Sequence, residues 1–307
     1  MRLVDKEANS ITAGYVKVRE NVMSDIRNYI SNRNDFHTFP LDPSFCEFVR
    51  QKLPQLSELA SGIRYRLENN RRFVIVDDYP LPHDEIGARN FLFLALMSCI
   101  GKPTPTDKAG KEIIWEVTPR THLPDGYTPT ITEHNQAAEL HTDSSYVDVP
   151  ERYVALFVIR PAKEGGLSHI LDGREFLSTL SESRQGRECV NVLRSVPCPS
   201  RVPTAFTENC MEEEPELALH RIISDSPLIR YRYDTIRAGF KCEPSYASSE
   251  VQWAVDYFHH ALARHGKYTF SLNSGDILLA NNHEILHGRT AFKDKNRLLL
   301  RIRTAQS

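Results

Sequence analysis

The chain has 307 residues, 40% hydrophobic and 25% charged, enough for one large domain or two modest ones around a sizeable core. Lys+Arg 38 against Asp+Glu 40 leaves a net charge of -2, which argues against general nucleic-acid or membrane-surface binding, since either needs a basic excess. No apolar run is long enough to span a bilayer, and the start, MRLVDKEANS, lacks the apolar core of a signal peptide, so the cytoplasm is expected.

No repeat, low-complexity tract or Gly/Pro/Ser-rich linker divides the chain, so a single domain over residues 1–307, with insertions, is expected. Residues 1–72 read as a helical N-terminal elaboration. Val22, Ile26 and Ile30 recur every fourth position, and Phe45, Val49, Leu53, Leu56, Ile63 and Leu67 keep a similar stripe. After a charged break at 69–72, Phe73-Val74-Ile75-Val76 is a short β-branched run that reads as a buried strand. A helix is expected over 86–100, closed by Gly101 ahead of Pro103 and Pro105.

Short strand-like runs follow at 113–117, 153–159, 168–171, 228–233, 268–272, 277–280 and 297–304. Turn signals stand at 124–126 (Pro-Asp-Gly), at Gly165-Gly166 and at 273–276 (Asn-Ser-Gly-Asp). Helical patterns interrupt near 174–180 and 250–263. Many short strands with helices outside them predict an α+β fold with a mainly β core, a double-sheet barrel or jelly roll flanked by helices. An insertion at 181–222 is polar over 184–219 and carries Glu212-Glu213-Glu214. It reads either as a solvated surface loop or as a lid over a site. The six cysteines, Cys46, Cys99, Cys189, Cys198, Cys210 and Cys242, form no CxxC pair. Free, mostly buried thiols in a reducing compartment are expected.

Two His-x-acid patterns occur, about what chance allows for 12 His and 40 acids. His83-Asp84-Glu85 sits in a Pro-containing turn ahead of a helix and reads as surface. His141-Thr142-Asp143 reads differently, because residues two apart on a strand point to one face and can grip a single ion. A third ligand must come from far along the chain, and the candidate is His287 in His283-Glu284-Ile285-Leu286-His287-Gly288-Arg289. Two His and one carboxylate leave three coordination positions open, the arrangement used for iron(II) chemistry with oxygen. Structural zinc prefers a closed set, usually with thiolates, and none is near in sequence.

With these residues the chain resembles the taurine dioxygenase and clavaminate synthase-like branch of the iron(II)/2-oxoglutarate oxygenases. The pieces that carry the resemblance are His141-Thr142-Asp143, Pro150-Glu151-Arg152-Tyr153-Val154-Ala155-Leu156-Phe157 and Gly165-Gly166-Leu167-Ser168. They continue with Gly275-Asp276-Ile277-Leu278, Asn281-Asn282-His283, His287-Gly288-Arg289 and Arg297-Leu298-Leu299-Leu300-Arg301. The resemblance implies a distorted double-stranded β-helix, with iron(II), 2-oxoglutarate and O2 as cofactor and cosubstrates. It also implies that a basic residue shortly after the distal His pairs with the far carboxylate of 2-oxoglutarate, a task suited to the guanidinium fork. That places Arg297 at the cosubstrate and Arg301 one strand-face step away, near substrate or sharing the same carboxylate. Arg303 falls on that face too, and Ser168 matches a hydroxyl that donates to the same group. Family members that halogenate replace the metal carboxylate with a small residue. Asp143 is present, so the resemblance implies hydroxylation, desaturation or ring closure.

The substrate is expected to be a small molecule, a free amino acid or an amine-bearing metabolite, with Glu139, Asp234 and Arg301 as the charged residues facing it. Asp234 either meets a cationic group of that substrate or closes a turn by pairing with Arg232 or Arg237. A non-catalytic metal-binding jelly roll would have no reason to keep the arginines, and a metal-dependent hydrolase would use zinc and no 2-oxoglutarate.

Overall fold

The computed structural model describes residues 2–3, 14–31, 36, 43–80, 82, 85–106, 112–120, 130–203, 206–207 and 215–306. Residues 83 and 84, the turn at 124–126, Cys210 and the acidic run at 212–214 lie outside the described residues. The elements are β1 (Arg2–Leu3), β2 (Tyr15–Lys17), α1 (Glu20–Ser31), α2 (Pro43–Lys52), α3 (Pro54–Asn69), β3 (Phe73–Asp77), α4 (Ile86–Ile100), β4 (Lys102–Thr104) and β5 (Trp115–Val117). Then come β6 (Ala138–His141), β7 (Tyr153–Arg160), β8 (Ser168–Asp172), α5 (Gly173–Leu180), α6 (Arg184–Ser195), β9 (Cys198–Arg201) and β10 (Leu217–His220). The chain finishes with α7 (Tyr233–Cys242), α8 (Ser249–Arg264), β11 (Tyr268–Phe270), β12 (Ile277–Asn281), β13 (Ile285–Arg289) and β14 (Leu298–Ala305).

Among these residues the strands form a seven-stranded sheet, ordered β2-β3-β12-β7-β14-β4 with β5 also on β14, and a five-stranded sheet, β1-β11-β8-β13-β6. The small hairpin β9–β10 stands apart from both. The period of two along each strand makes the layers. Leu298, Leu300 and Ile302 of β14 join Ile277 and Leu279 of β12 and Ala155 and Phe157 of β7 in one apolar cluster with helices α1 to α4. The alternate residues Leu299, Arg301 and Arg303 turn to the other face, where Leu299 meets Trp115, Val117 and Val158. A sheet covered on both faces reads as the continuous apolar runs seen in the sequence. Each fully buried Leu or Ile contributes about 1.5–3 kcal/mol, so this cluster anchors the strand that carries the arginines.

The five-stranded sheet is covered in the same way. Leu140, Leu171 and Leu286 pack into a second cluster with helices α5 to α8, while the inner residues of β6, β8 and β13 face the large sheet. The result is the helix-flanked jelly roll that the strand pattern predicts, in the double-stranded β-helix form that the resemblance implies. No helix of the described residues is long and apolar enough to cross a membrane.

Three expectations about the elements need correction, and one strand gave no signal in the sequence. The N-terminal region is not wholly helical, because β2 runs parallel to β3, with Tyr15 opposite Ile75. The described part of 184–219 is not a loop. It contains α6 and the β9–β10 hairpin, and α6 buries Gly186, Cys189, Val190 and Leu193, one stripe on an otherwise polar helix. The run at 228–233 is not a strand, since its backbone bonds go to separate partners rather than one ladder. Leu228 N donates to His283 O, Arg230 N to Ile222 O, and Tyr231 N to the Thr142 hydroxyl. Helix α7 then starts at Tyr233. Finally, residues 285–289 form a strand, although His-Glu-Ile-Leu-His carries no alternation that announces one.

Candidate metal centre

His141 and His287 are cross-strand partners on β6 and β13, with ring centroids 4.4 Å apart. The pairing slips next to them: β13 advances from His287 to Arg289 while β6 advances from His141 to Ala138. A Cβ at Gly288 would lie 2.6 Å from Ala138 O, so only glycine permits this close approach.

Asp143 does not share the strand with His141, as the sequence suggests. β6 ends at His141, and Asp143 stands in the turn beyond it, ahead of Ser144 at φ 55. The turn is held from outside the strand. Asp143 N donates to Asn282 Oδ1 at 2.7 Å, and Asn282 Nδ2 donates to Asp143 O at 3.0 Å and Glu151 O at 2.9 Å. Thr142 exchanges two bonds with Tyr231, N to O at 2.8 Å and Oγ1 from N at 2.9 Å. Asn282 and Thr142 are thus supports of the site. Both stood in the sequence motifs without a reason attached, because their partners are remote in the chain.

One donor atom from each of His141, Asp143 and His287 falls within a 4.8 Å cluster, and all three residues are buried. Asp143 Oδ1 is 3.6 Å from Nε2 of each His. Those gaps are shorter than two metal–ligand bonds of about 2.1 Å, so one ion can touch all three donors. His141 Nδ1 lies 2.7 Å from Glu139 O, and a carbonyl only accepts, so Nδ1 carries the proton and Nε2 offers its lone pair. Burial, then the neighbouring His141, pushes His287 down to about 3, which keeps a neutral donor. Its Nδ1 is buried and meets no partner among the described residues. Burial alone would raise the Asp143 carboxyl, but Arg301, then His141 and His287, hold it well below the ordinary carboxylate value. Arg301 Nη1 stands 3.1 Å from Asp143 Oδ2, an ion pair without the alignment of a hydrogen bond. These buried, ionised or lone-pair donors fit a divalent ion with open positions. His283 is elsewhere: its Nε2 donates to Pro150 O at 2.9 Å.

An open cavity leads from the triad between the two sheets and is lined by Leu156, Ser168, Leu278, Arg289, Arg297 and Arg301, among others. Arg297 is 5% exposed and has no ion pair among the described residues. Its guanidinium lies 4.9 Å over the Phe292 ring, which Arg289 also approaches at 5.1 Å. Burial, then Arg289, pushes the Arg297 pKa down to about 9. Gly166, at φ +66, makes room for it, since a Cβ there would sit 3.3 Å from Arg297 Nε. A buried cation without a counter-ion among the described residues, in a cavity that Ser168 also lines, fits a cosubstrate carboxylate.

A second, smaller cavity shares His141, Asp143 and Arg301 with the first. Thr130, Tyr146, Phe206, Arg232 and Arg303 complete its wall. Arg303 is spoken for by Glu151 at 3.6 Å, by the Ser144 hydroxyl and by Thr106 O. The other substrate candidates lie differently from the expectation. The Glu139 side chain is exposed and lines neither cavity, and its contribution to the site is the carbonyl that orients His141. Asp234 sits in the first turn of α7 and pairs with Arg232, the turn-closing role, and it too lines neither cavity.

Comparison with known proteins follows the same lines. The family model described as taurine catabolism dioxygenase TauD, TfdA family matches residues 38–303. No curated protein matches the chain. An asparagine oxygenase solved with Fe(II), 2S,3S-3-hydroxyasparagine and succinate superposes with TM-score 0.71 at 16% identity, covering 95% of this chain and 93% of that one. The non-heme iron oxygenase OrfP, with Fe, succinate and (3R,4R)-dihydroxy-L-Arg, gives TM-score 0.69 at 13% identity, covering 95% and 94%. The same enzyme with Fe and alpha-ketoglutaric acid gives 0.65 at 15% identity, again covering 95% and 94%.

Proposed function

The chain belongs to the taurine catabolism dioxygenase TauD, TfdA family and is an iron(II)- and 2-oxoglutarate-dependent dioxygenase, and from that premise we propose that it hydroxylates an unactivated C–H bond of a free amino acid. The observation that carries this reading is the pairing of two features in one cavity, the buried two-His, one-carboxylate cluster and the uncompensated guanidinium of Arg297. Bound iron and 2-oxoglutarate would supply the oxidising power with O2, releasing succinate and carbon dioxide. The amino-acid products held by the asparagine oxygenase and OrfP structures support the substrate class.

In this reading His141, Asp143 and His287 are the metal ligands. Glu139 O and Asn282 set the aim of His141 and Asp143, in the way outer hydrogen bonds orient metal ligands. Arg297 and Ser168 hold the far carboxylate of 2-oxoglutarate. Arg301 neutralises Asp143 with Nη1, and its buried Nε and Nη2, without partners among the described residues, are left to a substrate carboxylate. Tyr146, stacked on Phe206 at 5.6 Å and packed with Val202, closes the second cavity, so Phe206 of the 181–222 insertion covers it as a lid would. Free thiols and near-neutral charge support action on a small molecule in the cytoplasm.

Anaerobic addition of iron(II) and 2-oxoglutarate should produce a weak visible charge-transfer band. Succinate release in air should then rise with one amino acid from a panel. No band would sink the assignment of the site; a band with no amino-acid response would sink the substrate class.

A further inference from the structure

We propose that Arg232 is a specificity-determining residue that selects an amino acid bearing a second anionic group, a dicarboxylic amino acid. The inference deepens the amino-acid reading above and rests on it. With 2-oxoglutarate in the cavity of Arg297 and Ser168, the second cavity is the place where substrate reaches the triad. Its charged wall is lopsided among the described residues: Arg232, Arg301 and Arg303 line it, against Asp143 as their one carboxylate, and Asp143 belongs to the triad.

Two of the three cations are matched, Arg301 by Asp143 and Arg303 by Glu151. Arg232 is matched from behind. Its Nε donates to Asp234 Oδ1 at 2.9 Å and its Nη2 to Oδ2 at 2.8 Å, a fork that leaves Nη1 with no hydrogen bond among the described residues. The two side chains have opposite exposures, 10% for Arg232 and 62% for Asp234. The base faces the cavity and the acid faces solvent. A cationic substrate tail would therefore meet like charge, whereas a carboxylate would meet a donor already fixed in place, at little entropic cost. Asp234 is then a positioning residue for Arg232. It does not read a substrate amine.

The test uses enzyme loaded anaerobically with iron(II) and 2-oxoglutarate, and reads binding from the shift of the visible charge-transfer band. L-Aspartate and L-glutamate should bind roughly 10- to 100-fold more tightly than L-asparagine and L-glutamine, the range for a hydrogen bond to a charged group. L-Lysine and L-arginine should bind most weakly. Arg232→Gln should erase the acid-over-amide preference while keeping the band with 2-oxoglutarate, Arg232→Lys should restore part of it, and Asp234→Asn should narrow it. If amides or cationic amino acids bind as well as the acids to the unmodified enzyme, or if Arg232→Gln keeps the preference, Arg232 is not the reader and the proposal is overturned while the amino-acid reading stands. If no amino acid of any charge shifts the band, the amino-acid reading falls, and this proposal with it.

Discussion

Replacing Arg297 with Met should weaken cosubstrate binding and, at the same time, make the ligand-free protein harder to unfold. The guanidinium is 5% exposed, stacks on Phe292, and has no ion pair among the described residues. Burial brings its pKa far below the ordinary guanidinium value, down to about 9. At about 1.4 kcal/mol per pKa unit, holding that charge costs the folded state roughly 4–5 kcal/mol near neutral pH. Because the folded pKa is lowered, the unfolded chain binds the proton more tightly. The penalty is therefore fully present below about pH 9 and is relieved as pH rises above 9 towards the ordinary guanidinium pKa. Met keeps much of the apolar stem and removes the charge, so a recovery of about 2 kcal/mol should raise the unfolding midpoint by several degrees. Losing a bidentate, charge-assisted pair of about 3 kcal/mol should weaken 2-oxoglutarate binding roughly 100-fold. Anaerobic titration of the charge-transfer band gives the affinity, and thermal unfolding with and without 2-oxoglutarate gives the stability. A variant that unfolds more easily and binds 2-oxoglutarate like the parent would refute both halves of the reasoning.

The same pKa sets a pH profile. 2-Oxoglutarate affinity should be level up to about pH 9 and fall roughly tenfold per unit above it, as Arg297 loses its proton, a break that should vanish in Arg297→Met. Asp143→Gly should leave Arg301 buried without a counter-charge and destabilise the protein by about 3–5 kcal/mol. Chloride should partly restore the melting temperature of that variant, and an unchanged melting temperature on mutation would show that the pair is not coupled. His283→Ala should lose about 1 kcal/mol in denaturant unfolding, for its bond to Pro150 O, yet bind iron normally. An iron defect as large as that of His287→Ala would reassign the distal ligand.

The β core could be read from the chain because much of it is apolar on both faces, and runs such as 73–76, 277–280 and 298–300 admit few other structures. The metal triad could be read because its residue types are chemically restricted. What escaped was whatever depends on long-range partners. Residues 228–233 have strand-like composition, but Ile229 bridges Ile223 alone, and the bonds around it scatter to Thr142, Ile222 and His283. The spacing of two between His141 and Asp143 suggests a shared strand, yet Asn282, 139 residues away, holds Asp143 in a turn. Asp234 was legible as a charge near the substrate. Its direction was not, because only the packed structure shows that Arg232 stands between it and the cavity.

The Arg301 contact with Asp143 has a consequence for which ions the site will accept. Arg301 occupies Oδ2, so Asp143 presents a single oxygen, Oδ1, beside two imidazole nitrogens. Calcium prefers six to eight oxygen ligands, often with carboxylates gripping through both oxygens, and magnesium favours an all-oxygen octahedron. Neither finds that here, however abundant it is. First-row transition ions do, and on raw affinity nickel and copper should exceed iron(II). The centre thus rejects hard ions by its construction but leaves the choice among transition metals to whatever iron supply the cell maintains.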